Sequence, residues 1–288
     1  MLNDEAGMAE STAEHKEQSD KQTEEARTLW YAYLTGDNSQ IATRVRAMRR
    51  IFKELPRDPR CKVCNAPFAG IGGAMVRPFG WGAGRSSFNR GLCDRCEKMV
   101  KKYQVGVEVR LTMLFADVRG STTLAEEIGP SAFHQIINRY YRTSTDVLGN
   151  SDALVNRLIG DALVALYVPG IAGPEHGRIA VEAARELLRA TGHADPGGPW
   201  IGVGIGVHTG VAYVGAVGSG DSLSDITVLG DPANTAARLS SQAASGEVLV
   251  SEETVQSANL GLVDCELRTL NLKGRNEPVA VRVIRVSA

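Results

Sequence analysis

VEVRLTMLFADVRGSTTLAE, residues 107–126, opens as a strand and closes as a helix. Val107–Val118 first alternates polar and apolar residues and then turns almost wholly apolar, which reads as a strand running into a buried core. Asp117 stands at the end of that run. The turn after it, Arg119 to Thr122, is rich in glycine and hydroxyl side chains, so its backbone N–H groups suit phosphate oxygens.

Working outward, PSAFHQIINRYYRTSTDVL (130–148) has helical periodicity. ALVNRL (153–158) and ALVALYV (162–168) read as two apolar strands about a turn at Gly160-Asp161. A helix across Gly177 to Ala190 follows, then strands IGVGIGVH (201–208) and GVAYVGAV (210–217), a helix from Pro232, and strands near EVLVS (247–251) and PVAVRVIRV (278–286). The pattern predicts an α+β fold with a mixed or antiparallel sheet.

Gly202, Gly204 and Gly206 lie inside a strand pattern, so they predict close packing on a sheet rather than a dinucleotide fingerprint. No Walker phosphate loop is present. His208, beside Thr209-Gly210, reads as a turn residue. The Asp231-Pro232 step predicts a helix start, with Asp capping free N–H groups and Pro at the first helical position. Asn234 and Arg238, four residues apart, then share a helix face.

Upstream, residues 1–24 hold almost no large apolar side chains and are predicted to be disordered. Residues 25–55 predict a helical segment in two stretches, around Trp30 and Leu34 and around Met48 and Phe52, flanking Gly36-Asp37-Asn38-Ser39. Residues 56–100 are glycine-rich and carry Cys61-x-x-Cys64 and Cys93-x-x-Cys96, a spacing that predicts a metal-binding module. Four thiolates suit tetrahedral Zn²⁺, the leading candidate, and also an iron–sulfur cluster. Support of a dimer is the plain role for such a module and redox sensing the sharper one. Cys265 reads as a small buried apolar residue.

The 288-residue chain has a net charge of −1 and 43% hydrophobic residues, so it accommodates one main core plus a smaller module. Its charges are interspersed, and the cysteine segment lacks a basic and aromatic stripe, which argues against a nucleic-acid binder. No apolar run approaches the roughly 20 residues of a membrane span, and the first residues are polar, so a cytoplasmic protein is expected.

Asp161, in RLIGDALVALY (157–167), occupies a hairpin tip between apolar strands. If that hairpin neighbours the Asp117 strand, both carboxylates meet at one spot, a hard oxygen site for Mg²⁺ or Mn²⁺. Two such metals can activate an attacking oxygen and neutralise a triphosphate.

LFADVRGST, IGDALVALY and TVLGDPANTAARL, in this order and spacing, resemble the signature segments of the class III adenylyl and guanylyl cyclase catalytic domain, and the resemblance covers residues 105–288. It implies a ferredoxin-like βαββαβ palm in which Asp117 and Asp161 bind two metals with the Val118 carbonyl as a further ligand. Asn234 would orient the ribose, and Arg238 would stabilise the charge that develops in the transition state. LNLKGRNEPVAV (270–281) resembles the family segment that reaches the β and γ phosphates, which makes Lys273 or Arg275 the triphosphate clamp. The family's sites lie between two catalytic domains, so a head-to-tail homodimer is implied.

Base choice turns on two positions. Adenylyl cyclases of the family place Lys and Asp where this chain has Arg157 and Thr227. A forked, donor-only guanidinium suits carbonyl-bearing bases better than adenine. This leans toward UTP and cyclic UMP, as in the bacterial pyrimidine cyclases of phage defence, whose product activates a separate effector protein. The rivals are an adenylate cyclase making cyclic AMP, and a module that has lost catalysis and senses nucleotides or redox state.

Overall fold

The computed structural model describes residues 21–287 apart from 22, 29, 38, 57–59, 62, 81–83, 87–90, 103–105, 218–224 and 276. The disorder expected for residues 1–24 therefore falls mostly outside the described residues. Residues 23–28 and 30–35 are helical and a second helix runs over Ser39–Glu54, so the helical pair predicted from Trp30, Leu34, Met48 and Phe52 is present. It begins slightly earlier than composition suggested, because burial of Ala26, Trp30 and Leu34 rewards ordering the turn before them.

The described strands are β1 (Gly106–Val118), β2 (Leu154–Ile159), β3 (Ala162–Tyr167), β4 (Val203–Val217), β5 (Asp225–Leu229), β6 (Glu247–Ser251), β7 (Glu266–Leu270) and β8 (Val279–Arg285). They form one sheet in the order β2-β3-β1-β4-β6-β8-β7, with β5 also paired to β4. Only β4 and β6 run parallel; the other pairs are antiparallel, so the sheet is mixed as predicted. Helices Ser121–Ile128 and Pro130–Asn150 connect β1 to β2, and His176–Ala190 connects β3 to β4.

Alternation along β1 sorts the core onto two faces. Leu114, Ala116 and Val118 point to one face, where Ile137, Tyr140 and Leu148 of the 130–150 helix and Ala180, Ala184 and Leu187 of the 176–190 helix cover them. Val109, Leu111 and Met113 point to the other. There they share one apolar cluster with Ala233 and Ala236 of helix Asp231–Gln242, with Trp30, Leu34 and Phe52, and with all four paired cysteines. The N-terminal segment is thus a second layer on the sheet.

Two strand expectations merge. Residues 203–217 form one unbroken strand, so His208 lies mid-strand and buried, not in a turn. Its neighbour Gly210 serves helix–sheet contact: a Cβ there would stand 2.7 Å from the Pro232 ring. Gly204 and Gly206 act the same way along the same helix, with a Cβ at Gly206 falling 2.3 Å from the backbone nitrogen of Ser240. The close packing expected of Gly204 and Gly206 is present. Cys265 is half-buried rather than fully buried, and it packs at the margin of the helix-covered core.

Candidate active site

The hairpin strand β3 lies directly beside β1, with Asp117 opposite Ala162, so the Gly160-Asp161 turn falls next to the end of β1. Gly160 has φ 62°, a left-handed conformation that lets the two strands reverse tightly. The turn is braced from above: the Tyr141 hydroxyl of helix Pro130–Asn150 donates to the Gly160 carbonyl. Tyr141 has no sequence signature, since it looks like any helical aromatic.

Asp117 feels its surroundings in three ways. Burial raises its pKa, the Arg119 guanidinium lowers it, and the negative charge of Asp161 raises it again; the net direction is upward. Two carboxylates that repel each other at a half-buried spot form a donor set matched to divalent cations, so these residues fit the expected metal pair. Arg119, missed as a site residue although it adjoins Asp117, pairs with the Asp117 carboxylate and also donates from Nη1 to the Ser241 carbonyl at 3.0 Å. It ties the end of β1 to the end of helix Asp231–Gln242.

That helix begins over Gly210 and ends over Gly204. Its cap is Gly230, with φ 130°, and not Asp231; the Asp231 carboxylate instead stands 3.2 Å from Arg275 Nη1. The reason is geometric: Asp231 already has helical backbone, so its side chain leaves the axis and meets the cation of the following loop. Asn234 is exposed and Arg238 half-buried, on one face as predicted. Asn234 lies seven residues from Ser241, about 10 Å along the helix from the end that Arg119 ties to β1.

The loop before β8 arrives beside this helix. Gly274 has φ 76°, and a Cβ there would sit 3.3 Å from Arg238 Nη2. Lys273 is exposed, whereas Arg275 donates to Thr235 Oγ1 at 2.7 Å. Thr227 in β5 is half-buried and pairs with Gly215. Arg157 follows an irregularity in β2 and pairs with Val164; its side chain lies outside what is described. Within one chain β3, β1 and β4 separate these two base-reading candidates.

A cavity of about 420 Å³ opens beside the middle of β4, lined by His208, Gly210, Asp231, Pro232, Ser251 and Arg275. It does not include Asp117 or Asp161. His208 there donates to or accepts from Ser251 Oγ at 2.8 Å, and burial, reinforced by the charge of Arg275, pushes its pKa down to about 4.

Apart from this sheet, the Sγ atoms of Cys61, Cys64, Cys93 and Cys96 are buried and lie within 4.8 Å of one another. No helix among the described residues is long and apolar enough to cross a membrane.

Residues 104–283 match the family model described as the adenylate and guanylate cyclase catalytic domain. An adenylate cyclase of Anabaena cylindrica is 29% identical over 188 residues, covering 61% of this chain and 37% of the relative. The chain therefore spans about a third of the length of the known relatives it matches. Among solved structures, the guanylyl cyclase Cya2 superposes with a TM-score of 0.56 at 26% identity, covering 62% of this chain and 93% of that one. The adenylyl cyclase CyaB from P. aeruginosa gives a TM-score of 0.53 at 25% identity, covering 63% and 96%.

Proposed function

The chain belongs to the adenylate and guanylate cyclase catalytic-domain family, and from that premise we propose that it converts a nucleoside triphosphate into a 3′,5′-cyclic nucleotide and pyrophosphate. One observation carries this reading: β1 and the β2–β3 hairpin bring Asp117 and Asp161 close enough for one charge to raise the pKa of the other.

The ribose 3′ oxygen attacks the α-phosphorus, its proton passes to solvent, and pyrophosphate departs with the bonding pair of the breaking P–O bond. Two Mg²⁺ or Mn²⁺ ions supply charge neutralisation and activation of the attacking oxygen when bound. Asp117, Asp161 and the Val118 carbonyl would hold them. Arg119 orients Asp117 through its pairing. Asn234 positions the ribose, and Arg238 faces the charge that grows on the transferring phosphorus. Lys273 reaches the outer phosphates.

Because Asn234 sits about two helical turns from the aspartate end, the complete site needs a second chain. A head-to-tail homodimer puts the carboxylates of one protomer opposite Asn234 and Arg238 of its partner, giving two sites. The four cysteines add a metal, with Zn²⁺ the leading candidate and an iron–sulfur cluster the alternative. The expected setting is cytoplasmic.

Arg157 and Thr227 support a pyrimidine substrate, UTP giving cyclic UMP, as a messenger for a separate effector in phage defence. The adenylate reading draws its support from the relatives described as adenylate cyclases. Incubation with Mn²⁺ and each of the four triphosphates, followed by identification of the product, tests both. Cyclic AMP without cyclic UMP or CMP overturns the pyrimidine reading, and no cyclic product from any triphosphate overturns the cyclase reading.

A further inference from the structure

In the segment before β1 the four paired cysteines are among the most buried residues in the protein. Cys61, Cys64, Cys93 and Cys96 are all at or below 3% exposure. They come from two kinds of element. Cys61 and Cys64 sit in a tight loop closed by Asn65 N–H to the Cys61 carbonyl at 2.8 Å and Cys61 N–H to the Ala66 carbonyl at 2.9 Å, with Asn65 in the left-handed region at φ 64°. Cys93 precedes and Cys96 lies in the first turn of helix Asp94–Lys102, where the helix dipole favours thiolates. The Cys93 N–H donates to Cys61 Sγ at 3.3 Å, a contact that neutralises a thiolate without competing for the metal.

The spacing separates the two metal candidates. A zinc ion with four Zn–S bonds of about 2.3 Å in a tetrahedron places its sulfurs ~3.8 Å apart. Cys64 Sγ and Cys93 Sγ are 3.8 Å apart, and no pair of the four exceeds 4.8 Å. An iron–sulfur cluster inserts several irons and sulfides between its thiolates and spreads them wider.

The same loop is clasped by the helices that cover the sheet. The Val63 carbonyl, between the two loop cysteines, accepts from the Tyr33 hydroxyl at 3.3 Å and from Arg49 Nη1 at 2.5 Å. Tyr33 in turn lies against Gly170 just past β3, so closely that a Cβ on Gly170 would overlap the Tyr33 carbonyl. One apolar cluster then runs from the cysteines through Trp30 and Leu34 to Val109, Leu111 and Met113, on the β1 face that also carries Asp117.

We infer that Cys61, Cys64, Cys93 and Cys96 hold one tetrahedral Zn²⁺, and that this ion locks the N-terminal layer onto the catalytic sheet so that its removal loosens β1. Removing it takes away the cross-link that a module this small needs to stay folded. The layer then releases Val109, Leu111 and Met113 to solvent. The effect on catalysis rests on the cyclase reading; the metal content and the loosening of β1 do not.

The test uses the full chain. Metal analysis of the purified protein is expected to find about one zinc per chain and no iron, and cobalt substitution to give the visible bands of a tetrahedral tetrathiolate. Stripping the metal with a chelator should speed amide hydrogen exchange across Val109–Met113 by at least ~10-fold while leaving β6 and β8 unchanged. Stoichiometric iron with charge-transfer absorption, or four freely titrating thiols and no metal, overturns the assignment. Unchanged exchange in β1 after complete stripping overturns the coupling. Asp161→Ala serves as the control: it should lose cyclisation yet keep zinc and protected β1, which separates a failure here from a failure of the cyclase reading. Cys96→Ser removes a buried ligand and with it the fold's cross-link, so the chelation result on the native chain decides.

Discussion

Arg275 Nη1 donates to Thr235 Oγ1 at 2.7 Å, one residue past Asn234 in the first turns of helix Asp231–Gln242. The same nitrogen meets Asp231, so Arg275 is committed to holding the start of that helix. Lys273, two residues earlier, is exposed and makes no hydrogen bond or ion pair among the described residues. On the proposed function the two cations divide the work. Lys273→Ala should raise KM for the triphosphate about 10-fold with kcat little changed, the loss of one charge-assisted contact. Arg275→Ala should instead lower kcat, because Asn234 loses its fixed position. If Arg275→Ala changes KM alone, the positioning role is wrong.

Asp161→Ala should abolish cyclisation, with at least a ~10³-fold drop in kcat, since on the proposed function it removes one of the two carboxylates that would hold the metals. Its effect on stability should be small and of the opposite sign. Asp161 sits at a half-exposed hairpin tip, and its charge is one cause of the raised Asp117 pKa. Deleting it relieves repulsion. A thermal melt at neutral pH is expected at or slightly above the parent value; a melt far below it would show that the turn, not the charge, was lost.

Strands β1, β2, β3, β4, β6 and β8 and the nearness of Asp117 to the Gly160-Asp161 turn were legible because their signal is local, whereas the five-residue strands β5 and β7 were not predicted. An apolar run ending in Asp117 and a Gly-Asp reversal between two apolar strands state a sheet end and a hairpin without help from the rest of the chain. His208 was misread because Thr209-Gly210 looks like a turn, while the purpose of Gly210 is set by Pro232, 22 residues away in sequence. Asp231 was misread for a related reason: the cap falls to Gly230, and the carboxylate finds Arg275 instead. Tyr141 over Gly160, and the N-terminal layer on the sheet face of Met113, are tertiary facts with no periodicity to betray them.

Gly206→Ala tests the glycine track under the helix. The added methyl would fall 2.3 Å from the Ser240 nitrogen and 2.5 Å from the Ala236 carbonyl oxygen, both backbone atoms that cannot step aside without moving the helix. Overpacking of this kind costs about 1–3 kcal/mol, to be read as a lower urea midpoint. Activity should fall as well, because the helix that shifts carries Asn234 and Arg238. Gly261→Ala, where nothing stands within 4 Å of the new atom, is the neutral comparison.

Glu247 sets the acid limit of the fold. Its side chain is 6% exposed and takes both guanidinium nitrogens of Arg268, each at 3.0 Å, together with Arg285 at 2.5 Å. The pairing with Arg268 is the largest cause that lowers its pKa from 4.5 to about 2. A carboxylate held below its unfolded value stabilises the native state fully above that value and loses the contribution as protons bind on the way down. Stability should therefore decline between pH 4.5 and about 2, while β6, β7 and β8 part. Glu247→Gln keeps the shape but removes the charge. At neutral pH it should cost about 2 kcal/mol, a figure kept modest because Arg285 is half-exposed. Near pH 2 the variant and parent should converge. Urea midpoints measured across that range decide it: parallel curves, with a constant gap down to the lowest pH, would mean that packing at Glu247 and not its charge holds the three strands together.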